Sequence, residues 1–143
     1  MEIIVLKGSS NCGKTQTLNI AYQLLLHAGY KQVTGHYGEP ETRNFLGVDI
    51  TGNRDFYDIL SLNGKVIGLT TGENDKEALE EILADFAKAG CTKAICACTD
   101  DYDSMGVIKK YAKHTFIDKT TQPVDSLKRI DDGAFAEKIV ALV

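Results

Sequence analysis

The sequence predicts one α/β domain: a mostly parallel sheet covered by helices on both faces, with one antiparallel edge strand contributed by a β-hairpin. Three observations predict it. Short apolar runs alternate with amphipathic helical stretches on both sides of a long connection. The first run leads directly into a glycine-containing loop and then a helix. Asn63-Gly64 separates two apolar runs, the strongest short signal for a two-residue hairpin turn.

The elements follow in order. Ile3-Ile4-Val5-Leu6 is a β-branched run that reads as a buried strand. Leu18, Tyr22 and Leu25 recur at helical spacing, with Gly29 as the stop. Residues 31–55 show no clear periodicity and read as a long connection, a place where function often resides. The hairpin strands are expected at Phe56 to Leu62 and Lys65 to Thr71, the second lying beside the first strand of the chain because sequential elements tend to be neighbours. Asn74 and Glu77 resemble a capping box, and Leu79, Ile82, Leu83 and Phe86 mark one helical face ending near Gly90. Ala94 to Cys98 reads as a strand. Ser104 is read as the cap of a short helix with Met105, Ile108 and Ala112 inward, Thr115 to Ile117 as a last strand, and Phe135, Ile139 and Leu142 as the inner face of a closing helix.

Composition narrows the function classes. A chain of this length is one ordinary domain, expected to bury roughly two-thirds of its unfolded surface. A net charge of -4 gives no support to nucleic acid or an anionic membrane as partner. The N-terminus lacks the basic and long apolar regions of a secretory signal, and no apolar stretch approaches a membrane span, so the expected compartment is the cytoplasm. There the cysteines Cys12, Cys91, Cys96 and Cys98 are expected as reduced thiols. Cys96 and Cys98 alternate on a strand and face one side, without further ligands at zinc spacing.

Gly8-Ser9-Ser10-Asn11-Cys12-Gly13-Lys14-Thr15 matches the pattern G-x-x-x-x-G-K-S/T at every fixed position. The glycines allow a tight turn that brings successive N–H groups toward phosphate oxygens, and the following helix aims its positive end at the same anion. Lys14 is placed to reach the β and γ phosphates, and the Thr15 hydroxyl to ligate Mg²⁺. Gln16 continues the same helix start. Chance produces such a match in about one chain of this length in a few hundred, and the strand before and helix after it are the context the mechanism needs.

On these residues the chain resembles the P-loop NTPase superfamily over residues 3–25. The resemblance implies the three-layer fold of that superfamily, nucleoside triphosphate binding with Mg²⁺, and often phosphoryl transfer. Ser9 stands where partitioning ATPases carry a second signature lysine; Lys7 precedes the glycine instead. The hairpin followed by Thr70-Thr71-Gly72-Glu73 resembles Ras-like GTPases, with Leu69 in place of the metal-linked Asp and Glu73 in place of the water-positioning Gln. Asn63 to Glu73 also looks like small P-loop proteins of bacteria and phages. The guanine-reading Asn-Lys-x-Asp pattern does not follow Cys98, where Thr99-Asp100-Asp101 stand, so ATP is expected ahead of GTP.

Glu73 and Asp100 are therefore the candidate catalytic acids beside Lys14. Each has a structural alternative, as an acid at the start of the next helix. Thr42, Arg43, Thr51 and Arg54 lie where P-loop switches contribute to metal or γ-phosphate. His27, His36 and His114 have no partners at metal spacing, and Lys109, Lys110 and Lys113 form a basic helical patch with a solvated face as the simpler explanation. Lys119 to Gln122 follow the last strand and border the expected base position, with no side chain assigned. Cys12 is expected to fill a variable loop position, although its setting beside Lys14 also suits an oxidation-sensitive thiolate. Three functions compete: an NTP hydrolase or switch, a nucleoside or metabolite kinase, and a catalytically weak binding module that reports to a protein partner.

Overall fold

Ile3 to Leu6 offer no polar face, and a parallel strand of this kind is stable only where helices cover both sides. The computed structural model, which describes residues 1–9, 12–33, 44–46, 55–71, 76–99, 102–120 and 122–143 (backbone alone at 44–46, 102 and 103), meets that demand. Its elements are β1 (Glu2–Lys7), α1 (Lys14–His27), β2 (Lys31–Gln32), β3 (Asn44–Leu46), β4 (Asp55–Leu62), β5 (Lys65–Thr70), α2 (Lys76–Lys88), β6 (Lys93–Cys98), α3 (Tyr102–Lys109), β7 (His114–Asp118) and α4 (Asp125–Leu142). Among the described residues they form one seven-stranded sheet of order β2-β4-β5-β6-β1-β7, with β3 also on β4.

Alternation along β1 splits the core in two. Ile4 and Leu6 join Leu18, Ala21, Tyr22 and Leu25 of α1 and Ala136 and Ile139 of α4 on one face. Ile3 and Val5 join Leu79, Ile82, Leu83 and Phe86 of α2 and Val107 and Ile108 of α3 on the other. The α/β class, the parallel centre and the two covered faces agree with the sequence reading. α1 and α2 both end in the hydrogen-bond pattern of a glycine-terminated helix: the Tyr30 N–H donates to Leu25 O (3.1 Å) and the Cys91 N–H to Phe86 O (3.0 Å), each just past the expected glycine.

Several expectations need correction. β5 does not lie beside β1, because β6 pairs in parallel with both and separates them. Ala94 to Cys98 are all buried and without a charged side chain, so this strand takes a central place that sequence adjacency did not reveal. β4 is antiparallel to β5 as the hairpin requires, but it is no edge: β2 pairs with its Leu60–Ser61 end and β3 with its Asp55–Tyr57 end. Residues 31–55 therefore contain two short strands whose pairing, being long-range, leaves no local period.

The helix ends also differ. Ser104 is buried inside α3 and does not cap it, since the helix already starts at Tyr102; Ala112 is exposed beyond the helix end, and Lys113 is likewise off the helix. α4 starts at Asp125, ten residues before the periodic face becomes visible, and Leu142 is 40% exposed. The first six residues of α4 are all exposed, so no buried face announces them. Asn74 and Gly72 lie outside the described residues.

The hairpin turn has Asn63 at φ 51° and Gly64 at φ 82°, the type I′ geometry that matches strand twist. A buried polar chain ties α1 to β4: the Tyr22 hydroxyl donates to Asp58 Oδ2 (2.8 Å), the Ile59 N–H donates to Asp58 Oδ1 (2.9 Å), and Gln32 Nε2 donates to the Tyr22 oxygen (2.7 Å). The Tyr22 ring also meets Phe56 edge-on at 4.8 Å. All four cysteines are buried without a disulfide. Burial pushes the Cys91 thiol up to about 11 and the Cys96 thiol higher still, where neither is a nucleophile at neutral pH.

Gly68 supplies the sharpest packing test. A Cβ there would stand 2.4 Å from Phe86 Cγ, so α2 lies directly on the backbone of β5. Gly68→Ala is expected to lower unfolding free energy by about 1–3 kcal/mol in urea denaturation, the usual range for overpacking, and Phe86→Leu in the same chain to recover part of it.

Candidate functional site

The loop starts where β1 ends. The Gly8 N–H donates to Cys98 O (3.2 Å), so the last residues of β1 and β6 open the loop together at the carboxyl edge of the sheet. Gly8 is enclosed: a Cβ on it would meet Lys119 O at 2.6 Å and Cys12 Sγ at 2.7 Å. At the other end Gly13 is the residue before α1, in the left-handed region at φ 94°. A Cβ there would also meet Asp132 Oδ1 at 2.7 Å. Gly8 is thus required by close approach of the Lys119 backbone, and Gly13 by its backbone conformation.

α1 begins with no side-chain cap and no acid in its first turn, whereas α2 has Glu77 and α4 has Asp125 in theirs. A helix start without a side-chain cap leaves backbone N–H groups and a positive dipole end to attract an anion. Lys14 is 2% exposed and folds back over the loop, its ammonium donating to Gly8 O (2.7 Å) and Ser9 O (2.6 Å) and lying 3.8 Å from Cys12 Sγ. Thr15 is half-buried and its hydroxyl donates to Thr71 O at 3.4 Å. This contact brings the end of β5 to the first turn of α1 even though β6 separates β5 from β1.

Of the nucleotide-binding residues expected from sequence, Gly8, Cys12, Gly13, Lys14 and Thr15 converge, while Ser9 and Gln16 are exposed at the rim. Ser10 and Asn11 lie outside the described residues, as do the candidate acids Glu73 and Asp100 and the loop candidates Thr42, Arg43, Thr51, Arg54 and His36. Cys12 is 4% exposed and packs against Gly8, so it fills space under the loop. Lys7 turns away to Asp118 (3.2 Å) and the Phe116 ring. His27 is exposed, His114 Nδ1 is 2.9 Å from Tyr111 O, and Lys110 pairs with Glu80 on the surface. No group of three or more metal-ligating side chains occurs among the described residues, and no described helix is long and apolar enough to cross a membrane.

Sequence reasoning reached Lys119 only by position and missed Asp131 and Asp132. The Lys119 side chain is 1% exposed, and its ammonium donates to Cys12 O (2.7 Å) and meets Asp132 Oδ1 (2.9 Å) and Asp131 Oδ2 (3.2 Å). Burial opposes its charge, but the hydrogen bonds and charges of Asp132 and Asp131 outweigh burial and raise its pKa above the ordinary lysine value. The main chain joins in, the Lys119 N–H donating to Lys7 O at 2.7 Å. Twelve residues separate Lys119 from Asp131, with no spacing rule to connect them.

No protein-family model matches the chain, and neither a curated protein nor a solved structure matches it.

Two outcomes follow from this geometry. Gly13→Ala is expected to cost more than about 1 kcal/mol in chemical denaturation, since alanine is strained at positive φ and here also meets Asp132. Because Lys119 has a raised pKa in the folded state, its bridge contributes fully below the ordinary lysine pKa of about 10.4 and is lost as pH rises through the folded value. Unfolding free energy should therefore fall more steeply above pH ~10 in the wild type than in Lys119→Met.

Proposed function

We propose that the chain binds the phosphates of a nucleoside triphosphate, ATP ahead of GTP, through loop 8–15 in the manner of a P-loop NTPase, and that binding serves a hydrolase or switch cycle. One observation carries the proposal: the start of α1, which has no side-chain cap, the Lys14 ammonium and the Thr15 hydroxyl converge on a single loop at the carboxyl edge of the sheet. In α/β sheets that edge is where ligands bind.

The chemistry follows from these groups. Lys14 would exchange the Gly8 and Ser9 carbonyls for phosphate oxygens, which are stronger acceptors because they are charged. The loop N–H groups would hold the remaining oxygens. Mg²⁺ retains several waters and takes only one or two protein oxygens beside the phosphates, so the Thr15 hydroxyl, which makes a long 3.4 Å bond to Thr71 O, fits as its ligand. Bound there, the ion would neutralise charge on the β and γ phosphates. Glu73 and Asp100 are proposed, on sequence grounds, to place the attacking water.

A second reading has its own support. Leu69, which stands at the position of the metal-linked Asp in the Ras-like pattern, is fully buried in the apolar core of the α1 face. That position supplies no carboxylate, which favours a binding module with slow turnover.

The test is thermal unfolding with ATP, GTP, ADP and GDP, each with and without Mg²⁺, followed by phosphate release. A ligand at 100 times its Kd should add about 2.7 kcal/mol to stability. ATP with Mg²⁺ is expected to give the largest shift, Lys14→Ala to abolish it while keeping the circular dichroism of the wild type, and Thr15→Val to remove its Mg²⁺ dependence. No shift with any nucleotide, or an equal shift in Lys14→Ala, refutes the reading. A shift without phosphate release selects the module.

A further inference from the structure

A loop that binds phosphate needs positive potential around it, yet two carboxylates stand beneath this one. Asp132 Oδ1 lies 2.7 Å from the position a Cβ would take on Gly13, and Asp131 is the residue before it in α4. The Lys119 ammonium lies within 3.2 Å of both and partly offsets their charge.

We propose that Lys119 is a positioning residue for the phosphate loop, and that with Asp131 and Asp132 it sets the loop's charge balance and hence its affinity for polyphosphate. The inference rests on the phosphate-binding reading of loop 8–15 and deepens it.

Lys119 holds the loop at two points. Its N–H donates to Lys7 O (2.7 Å), fixing the entrance, and its ammonium donates to Cys12 O, fixing the segment just before Gly13 and Lys14. The ammonium's three donors match three oxygens, those of Cys12, Asp131 and Asp132. The Phe135 ring lies 5.2 Å from the same nitrogen and helps exclude water from it. In that setting charge is weakly screened. One ammonium against two carboxylates leaves a net charge of about -1 below the loop; without Lys119 it becomes about -2, against the single charge of Lys14.

Shape and charge make different predictions. If the cluster is only a brace, loosening it from either side weakens binding. If charge balance sets affinity, the lysine and carboxylate substitutions act in opposite directions. Asp131→Asn and Asp132→Asn each retain an acceptor for Lys119 while removing one negative charge.

The experiment measures binding of inorganic tripolyphosphate and of ATP with Mg²⁺ by calorimetry at two salt concentrations, with thermal unfolding of every variant. Expected results are a Kd at least tenfold weaker for Lys119→Met, recovery to within threefold of wild type in Lys119→Arg, and two- to fivefold tighter binding in Asp131→Asn, with the gain shrinking at high salt. Asp131 is the more exposed of the two acids, so Asp131→Asn gives a result even if Lys119→Met fails to fold. Weaker or unchanged binding in Asp131→Asn, or a Lys119→Met affinity within twofold of wild type, overturns the inference while leaving phosphate binding intact. Absence of any polyphosphate binding by the wild type overturns both.

Discussion

β1 is buried on both faces and hydrogen-bonded along both edges, and this enclosure governs the rest of the molecule. Ile3, Ile4, Val5 and Leu6 are each 0% exposed, so helices must cover two sides and strands two edges. The chain leaving β1 therefore has one way out, over the carboxyl edge between β6 and β7. Loop 8–15 is that exit, and its position between Cys98 and Lys119 follows from the enclosure. A backbone forced into so narrow a gap favours glycine at Gly8, where Lys119 O leaves no room for a side chain, and at Gly13, where φ is positive.

The site thus inherits rigidity from the sheet. The loop comes from one stretch of sequence, but the groups that hold it come from three others: the end of β6, the residue after β7, and the second turn of α4. Such support is what a preorganised anion site needs, because N–H groups already aimed at the ligand cost little reorganisation when it binds. Buried polarity is fully matched: among the described residues no buried side-chain nitrogen or oxygen lacks a hydrogen-bond partner. The Lys119 cluster at one end of α1 and the Tyr22–Asp58–Gln32 chain further along it belong to this matched polarity and help fix the helix that carries Lys14 and Thr15.

Two local features were legible to the residue. Leu79, Ile82, Leu83 and Phe86 are the buried residues of α2, as their spacing required, and Asn63-Gly64 forms its expected turn. Features that depend on long-range pairing were not. β2 and β3 are two and three residues long, too short for a period, and they exist because β4 offers them an open edge. The first six residues of α4 escaped because their side chains are all exposed, leaving no apolar stripe to read.

The sequence by itself determined the α/β class, the strand–loop–helix unit and the residues of loop 8–15, since each depends on contacts between near neighbours and on the conformational needs of glycine. Tertiary structure alone decided that β6 stands between β1 and β5, that the hairpin is internal to the sheet, and that Lys119, Asp131 and Asp132 meet beneath the loop. The physical reason is the same in all three cases. Strand order and a buried ion cluster are settled by burial and charge matching between segments far apart in the chain, and neither leaves a pattern in local spacing.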